Sequence, residues 1–252
     1  MVKQPEKRNV DLTGRKILVV GAAQGIGRAT AIWLAGLGAR VIPADIQDCD
    51  DTALACGGVS SVKLDLSDRE NIEAVINDLA DNDGPLYGVV NCAGILLRRP
   101  LDDTTPDELE LQTAINQSGA FYLARAAMKK MQTQGEGRIV LYTSQGAFTG
   151  GFNGSIPYAM NKAAVTALVK SLARIGAPQG ITVNAVAPGA VDTAMLRDGM
   201  TQQDLDNFQA MIPMRRFADP EELAGPTAFL LSEWAGYITG TTLHVNGGQL
   251  ML

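Results

Sequence analysis

A short apolar run, Lys16-Ile-Leu-Val-Val20, passes without a linker into Gly21-Ala-Ala-Gln24-Gly25-Ile26-Gly27, and this junction limits the fold more than any other feature of the chain. A run of this length with no polar alternation reads as a strand buried on both faces. A helical period takes over at once: Ile26, Ala29, Trp33 and Leu37 recur at helical spacing, and Gly38 stands at the expected C-cap. A buried strand that turns through glycines into a helix opens a βαβ unit, whose strands pair in parallel with helices on both faces.

The rest of the chain repeats the alternation. Strand-like segments follow at 40–44, 62–64, 86–90, 138–142, 181–186 and 241–245. Between them, Ser67-Asp-Arg-Glu70 opens a helix with a capping-box pattern, and long helical stretches cover 106–131 and 158–175. A further helix covers 220–231, with Pro220 in its first turn. No composition break, linker or repeat divides the chain after Asp11. The reading is an α/β fold: a polar tail over 1–11, then one doubly wound Rossmann-type domain over 12–252 built on a parallel seven-stranded sheet. Ligands of such sheets gather at the carboxyl ends of the strands, and every motif below falls at one.

Composition removes several function classes. With 252 residues, 46% of them hydrophobic and 19% charged, the chain can bury a substantial core. A net charge of −6 disfavours non-specific binding to nucleic acid or anionic membrane. The apolar runs are far shorter than a bilayer span, and the polar start at Met1 lacks a signal-peptide core, so a cytoplasmic protein is expected. Cys49, Cys56 and Cys92 are odd in number and form no C-x-x-C, which suggests neither a disulfide framework nor a zinc site. Cys92 reads as a packing residue. His244 is the only histidine, which rules out a histidine-rich metal site and leaves a Ser-His-Asp hydrolase dependent on it alone. It reads as a core or interface residue, and no metal is expected.

The glycine turn suits an anion. Gly21, Gly25 and Gly27 let the backbone approach a pyrophosphate closely at a helix N-terminus, although the G-x-x-x-G-x-G spacing is wider than the common fingerprint. A turn built only for packing could carry the same glycines, and its place as the first βα turn favours the ligand. Asp45 ends the second strand, 18 residues past Gly27. A carboxylate there accepts hydrogen bonds from a ribose 2′-OH and repels a 2′-phosphate, and Gln24 in the loop is neutral. NAD is therefore expected over NADP, with Arg28 and Arg40 arguing the other way.

Tyr158 and Lys162 are four apart and share a helix face. A nearby ammonium stabilises a phenolate, so Lys162 could bias Tyr158 towards a general base. Ser144, after the fifth strand, could polarise a substrate carbonyl. An exposed helix carries a Tyr-x-x-x-Lys pair by chance, so the pair alone decides little.

Taken with their neighbours, these residues resemble the short-chain dehydrogenase/reductase family over nearly the whole chain. The matching positions are Gly21-x-x-x-Gly25-Ile26-Gly27, Asp65, Asn91-Cys92-Ala93-Gly94, Asn116, Ser144 and Tyr158-Ala-Met-Asn-Lys162. Asn184-Ala-Val-Ala-Pro188-Gly189 and His244-Val-Asn-Gly247-Gly248 complete them. The resemblance implies Tyr158 as acid/base, Lys162 as its tuner and ribose anchor, Ser144 as substrate orienter and Asn116 as holder of a relay water. It implies Asp65 and Leu66 at the adenine, and Asn91 and Ala93, with Gly94 beside them, along the adenosine ribose. Pro188, Val191 and Thr193 would cradle the nicotinamide. The chain departs from the family at Val20, usually Thr and a tie for the glycine loop, at Cys92, usually Asn, and at Asn246, usually Asp.

Selectivity is expected in segments 95–99, 145–157 and 190–214. The last holds Met195, Leu196, Met200, Phe208, Met211 and Ile212, which read either as a repacking flap or as a face that covers the core. Arg98 and Arg99 either draw an acidic substrate or form a solvated pair. The family commonly forms tetramers through the long helices, and the stripe of Ala120, Phe121, Ala124, Ala127 and Met128 either serves that contact or is buried in the subunit. The reading is hydride transfer between NAD(H) and a small secondary alcohol or ketone. The alternatives are a 3-oxoacyl thioester reductase and a non-catalytic dinucleotide sensor.

Overall fold

The structure is a computed structural model, and it describes residues 10–252 apart from Asp83 and Asn153; nearly all of the polar tail lies outside the described residues. The strands are β1 (Lys16–Val20), β2 (Arg40–Asp45), β3 (Val62–Lys63), β4 (Leu86–Asn91), β5 (Gly137–Tyr142), β6 (Ile181–Pro188) and β7 (Thr242–Val245). They form one seven-stranded sheet in the order β3-β2-β1-β4-β5-β6-β7, and every pair is parallel. Helices α1 (Gly25–Gly36), α2 (Asp50–Ala55), α3 (Arg69–Asp81), α4 (Pro106–Thr113) and α5 (Ala120–Gln134) lie in the first half. They are followed by α6 (Gly146–Thr149), α7 (Ile156–Gly176), α8 (Ala194–Arg197), α9 (Gln202–Ala210) and α10 (Glu221–Leu231).

Side chains alternate across a pleated strand, so each strand feeds two cores. Leu18, Val20, Ile139, Leu141 and Val183 pack with Ile72, Ile76, Leu123, Met131, Val165 and Val169 from α3, α5 and α7. On the opposite face Ile17, Val19, Val140 and Val186 pack with Ala31 and Leu34 of α1 and Leu223 and Leu230 of α10. The helices sort to their faces because parallel strands need crossovers, and these leave the sheet on both sides. Strand order reverses at β1, between β2 and β4, so a crevice opens above the ends of β1 and β4.

Three local expectations are corrected. The helix expected to open with a capping box at Ser67 is capped by Asp68, whose Oδ1 accepts from Glu70 N at 2.9 Å and Asn71 N at 3.0 Å. The Ser67 hydroxyl instead donates to Asp65 Oδ1 at 2.7 Å. The stretch over 106–131 is not one α-helix: Ala114–Gly119 form a π-helical turn between α4 and α5. The short helices α2, α6, α8 and α9 were not anticipated, because none carries two turns of clean apolar period. Among the described residues, no helix is long and apolar enough to cross a membrane.

Candidate active site

The glycine loop folds back on the ends of two strands. Gly21 N and Ala22 N both donate to Ala44 O of β2, at 2.8 and 3.1 Å, while Cys92 N donates to Val20 O at 2.9 Å. Nothing larger fits there. A Cβ on Gly21, at φ 85°, would lie 2.6 Å from Ala93 N, and one on Gly27 would lie 1.9 Å from Gly21 O. Gln24 is the N-cap of α1 but makes no side-chain cap bond, and no acidic residue occupies the first turn. The leading N–H groups of α1 therefore remain for a ligand anion.

The hydroxyl missing at Val20 is replaced by two other ties. Asp45 Oδ2 accepts from Ala23 N at 3.0 Å, and the fully buried Thr52 donates from Oγ1 to Ala22 O at 2.8 Å. Asp45 thus anchors the loop as well as lining the cleft, a second duty that the sequence did not reveal; its Oδ1 accepts from Gln47 N at 3.0 Å. Asp65 and Leu66 line the cleft beside it. Asn91 is buried below the lining, where its Oδ1 accepts from Ala93 N at 3.1 Å and shapes the turn that presents Ala93 and Gly94.

At the other end of the same cleft stand Ser144, after β5, and Tyr158 and Lys162, one turn apart on α7. The registration comes from Thr143, which the sequence reading missed. Its hydroxyl donates to Lys162 O at 2.7 Å and lies 2.9 Å from Thr166 Oγ1, pinning α7 to the end of β5. The only sequence signal was one hydroxyl at the end of an apolar run. Asn116, held in the π turn, clamps Ile95 in both senses: Nδ2 donates to Ile95 O at 2.8 Å and Oδ1 accepts from Ile95 N at 2.9 Å. Like Asn91 it stays outside the lining, and its amide serves the backbone just after Gly94 first. A Cβ on Gly94 would lie 2.8 Å from Asn116 Oδ1 and 3.4 Å from Lys162 Nζ.

Loss of solvent sets the electrostatics here. Burial pushes the Tyr158 hydroxyl up to about 12, and the nearby Ser144 hydroxyl and Arg98 charge act the other way. Burial pulls Lys162 down to about 8, with the Cys92 thiol opposing. The Lys162 ammonium donates to Tyr142 O at 2.8 Å and lies 5.5 Å from the Tyr158 ring centre. Burial also pushes the Cys92 thiol up to about 12, the behaviour of an inert packing residue.

Pro188, Val191 and Thr193 line the middle of the cleft, where the Thr193 methyl would meet a Cβ on Gly25 at 3.3 Å. The segment over 190–214 has a small core of its own, in which Ala190, Leu196, Leu205 and Ile212 pack with Met200 and Phe208. Of these, Ala190, Leu196, Met200 and Phe208 also line the cleft, which favours the flap reading over simple core cover. Phe208 stacks on Phe152 across the mouth, with ring centres 5.4 Å apart. Arg99 pairs with Glu108 at 2.9 Å, whereas Arg98 is half-buried in the cleft wall, so the two are not one solvated pair. His244 does not line the cleft; its ring packs edge-on against Phe148 at 4.8 Å.

The cleft holds about 350 Å³. Carboxylates stand at one end, an uncapped helix N-terminus behind glycines in the middle, and a hydroxyl pair with a buried lysine at the other. That donor and acceptor order fits a nicotinamide dinucleotide laid along it.

Known proteins agree with this geometry. A family model described as enoyl-(acyl carrier protein) reductase matches residues 21–249. The chain is 38% identical to the 3-oxoacyl-[acyl-carrier-protein] reductase FabG of Escherichia coli, over 96% of this chain and all of that one. It is 33% identical to the oxidoreductase UcpA of Salmonella typhimurium, over 95% of this chain and 96% of the relative. Among solved structures, a provisionally assigned NAD(P)-dependent gluconate 5-dehydrogenase from Beutenbergia cavernae, with NADP at low occupancy, superposes with a TM-score of 0.90. It shares 35% identity and covers 95% of this chain and 98% of its own. With strand order, cleft and relatives in agreement, the chain belongs to the short-chain dehydrogenase/reductase family, oxidoreductases that act between CH–OH and C=O with a nicotinamide dinucleotide.

Proposed function

We propose that the chain transfers a hydride between NAD(H) and a small secondary alcohol or ketone, with Tyr158 as general acid/base. The observation that carries this reading is that Ser144 and Tyr158 line the same end of the cleft, one helical turn from a buried Lys162. The dinucleotide supplies a hydride donor or acceptor when bound. Gly21, Gly25, Ile26 and Gly27 hold its pyrophosphate against the first turn of α1, beside Gln24. Asp65 and Leu66 flank the adenine, Asn91, Ala93 and Gly94 the adenosine ribose, and Pro188, Val191 and Thr193 the nicotinamide. Ser144 orients the substrate oxygen and Tyr158 exchanges a proton with it. Lys162 steadies the charge and bonds the nicotinamide ribose, while Asn116 keeps the neighbouring segment in place.

NAD is favoured over NADP by the charges along the cleft. Asp45 and Asp65 are its lining carboxylates, both at the adenosine end, and among the described residues no cation lines that end. Arg28 and Arg40, the two side chains that could have served a 2′-phosphate, lie outside the lining. A reductase of 3-oxoacyl thioesters is the second reading, favoured by the identity to FabG over the whole length of the chain. Three free thiols suit a reducing cytoplasmic setting, and a homotetramer is proposed as the working assembly.

The test compares NADH with NADPH by fluorescence titration and then screens secondary alcohols, sugars, steroids and keto-esters with wild type and Tyr158→Phe. NADH is expected to bind more tightly, and the variant to lose about 10²- to 10⁴-fold in kcat while still binding it. Tighter NADPH overturns the cofactor assignment. A wild type that binds NADH, turns over nothing and keeps its function in the variant is a sensor, not an enzyme.

A further inference from the structure

Arg98 is a cation without a carboxylate. It lines the substrate end of the cleft, half-buried, in the segment that follows Gly94. Among the described residues no carboxylate lies within ion-pair distance of it, although Arg99 next to it has Glu108. One nitrogen, Nη1, donates to Met195 O at 3.1 Å and Asp198 O at 2.5 Å, both main-chain carbonyls of the flap. Nη2 reaches only Leu196 O, at 3.5 Å, and Nε has no partner among the described residues. One edge of the guanidinium fork, Nε with Nη2, therefore remains for a planar, bidentate acceptor.

The charge distribution of the cleft points the same way. Its carboxylates, Asp45 and Asp65, line the adenosine end, while its cations, Arg98 and Lys162, stand at the chemical end. Lys162 is already bonded to Tyr142 O, on the strand beneath Tyr158. Desolvation works against the Arg98 charge, and the Asp198 carboxylate and the Tyr158 hydroxyl offset it only at a distance. A partly desolvated cation facing a catalytic hydroxyl is costly unless an anion joins it.

We infer that Arg98 is the substrate-anion contact of this cleft, and that the substrates are hydroxy or keto acids whose carboxylate docks on its open edge. The inference rests on the hydride-transfer reading above and narrows its substrate class. It also couples substrate to flap, because the guanidinium that takes the carboxylate simultaneously holds the α8 carbonyls across the mouth.

The experiment uses matched pairs in which the carboxylate is masked as a neutral ester or amide: acetoacetate against methyl acetoacetate with NADH, and gluconate against gluconamide with NAD. Wild type, Arg98→Met and Arg98→Lys are compared in kcat/KM. Wild type is expected to favour the acid of at least one pair by 10-fold or more. Arg98→Met should lose about 100-fold on that acid, the scale for removing one partner of a desolvated charge pair. The neutral member shares only the loss from the freed flap, so the acid-to-neutral ratio should fall at least about 10-fold, and Arg98→Lys should restore part of the preference. No acid preference in wild type, or an equal loss on acid and neutral members, overturns the inference and leaves Arg98 a flap tie. If no pair turns over, fluorescence of bound NADH is titrated with acetoacetate and with gluconate. Carboxylate binding that is lost in Arg98→Met keeps the anion site while the hydride-transfer reading fails. No carboxylate binding in wild type sinks the site as well.

Discussion

Tyr158 and Lys162 respond oppositely to one cause. Removing solvent penalises the charged form, which is phenolate for the tyrosine and ammonium for the lysine, so one value rises to about 12 and the other falls to about 8. Reduction of a carbonyl needs Tyr158 protonated, and at about 12 it stays protonated throughout the neutral range. Lys162 is the group that changes, because a base with a lowered value sheds its proton as pH climbs past about 8. For reduction, kcat/KM for NADH, which reports the ligand-free protein, is expected to be flat below pH 7 and to fall above about 8. Lys162→Met should be slower at every pH and should lack that falling limb. A limb that persists unchanged in the variant would assign the titration to another group. Spacing placed these two residues on one helix face, since four residues make about one helical turn, and only the neighbouring motifs marked them as a site. Arg98 was legible as a residue but not as a site. It lies in an irregular segment with no period to orient it, so the sequence could not separate it from Arg99. The loop tie made by Asp45 was hidden for a similar reason, because nothing in a βα turn's sequence says which carboxylate reaches back to it.

Among the elements, the most consequential surprise is the π turn at Ala114–Gly119. Helical period and the Pro106 start made 106–131 read as one helix, and a π turn is the insertion of a single residue that apolar spacing barely registers. It carries Asn116 to Ile95 and lets Gly119 pass so close to Leu66 that a Cβ there would meet Leu66 O at 2.5 Å. Deleting the exposed Gln117 should let the segment revert to α-helix with α4 and α5 kept in phase. The far-ultraviolet circular dichroism would then be retained while turnover falls at least about 100-fold, because Asn116 leaves Ile95 and the wall beside Lys162 shifts. Full activity in the deletion would make the turn an ornament of the fold. The strands were read to within a residue or two, because a buried parallel strand is a continuous apolar run with little else to confuse it. The short flap helices α8 and α9 were not, since their order comes from Thr193 and Thr201 caps and a satellite cluster rather than from their own periodicity.

For the whole molecule, the doubly wound architecture followed from alternation and handedness, two rules that act on element order and ignore side-chain detail. Assembly is a different matter, because a helix stripe read from sequence does not say which neighbour it meets. Ala120, Ala124, Ala127 and Met128 are buried inside the subunit, and only Phe121 of the stripe remains 42% exposed. An outward contact would then use Phe121 with residues beyond the stripe, and a groove between α5 and α7 offers them: Phe121 and Tyr122 on one side, with Ala164, Ala167 and Leu168 on the other. Small residues on α7 facing an exposed aromatic on α5 allow two helix pairs to approach closely, the geometry a tetramer through these helices requires. Light scattering of wild type is then expected to give the mass of four chains. Phe121→Glu places a charge where the partner must desolvate it and should lower the mass to two chains or one, with circular dichroism and NADH binding retained. A monomeric wild type removes the tetramer. A variant that stays tetrameric moves the interface away from this groove, since an unpaired carboxylate at its centre could not be buried without a large loss of affinity.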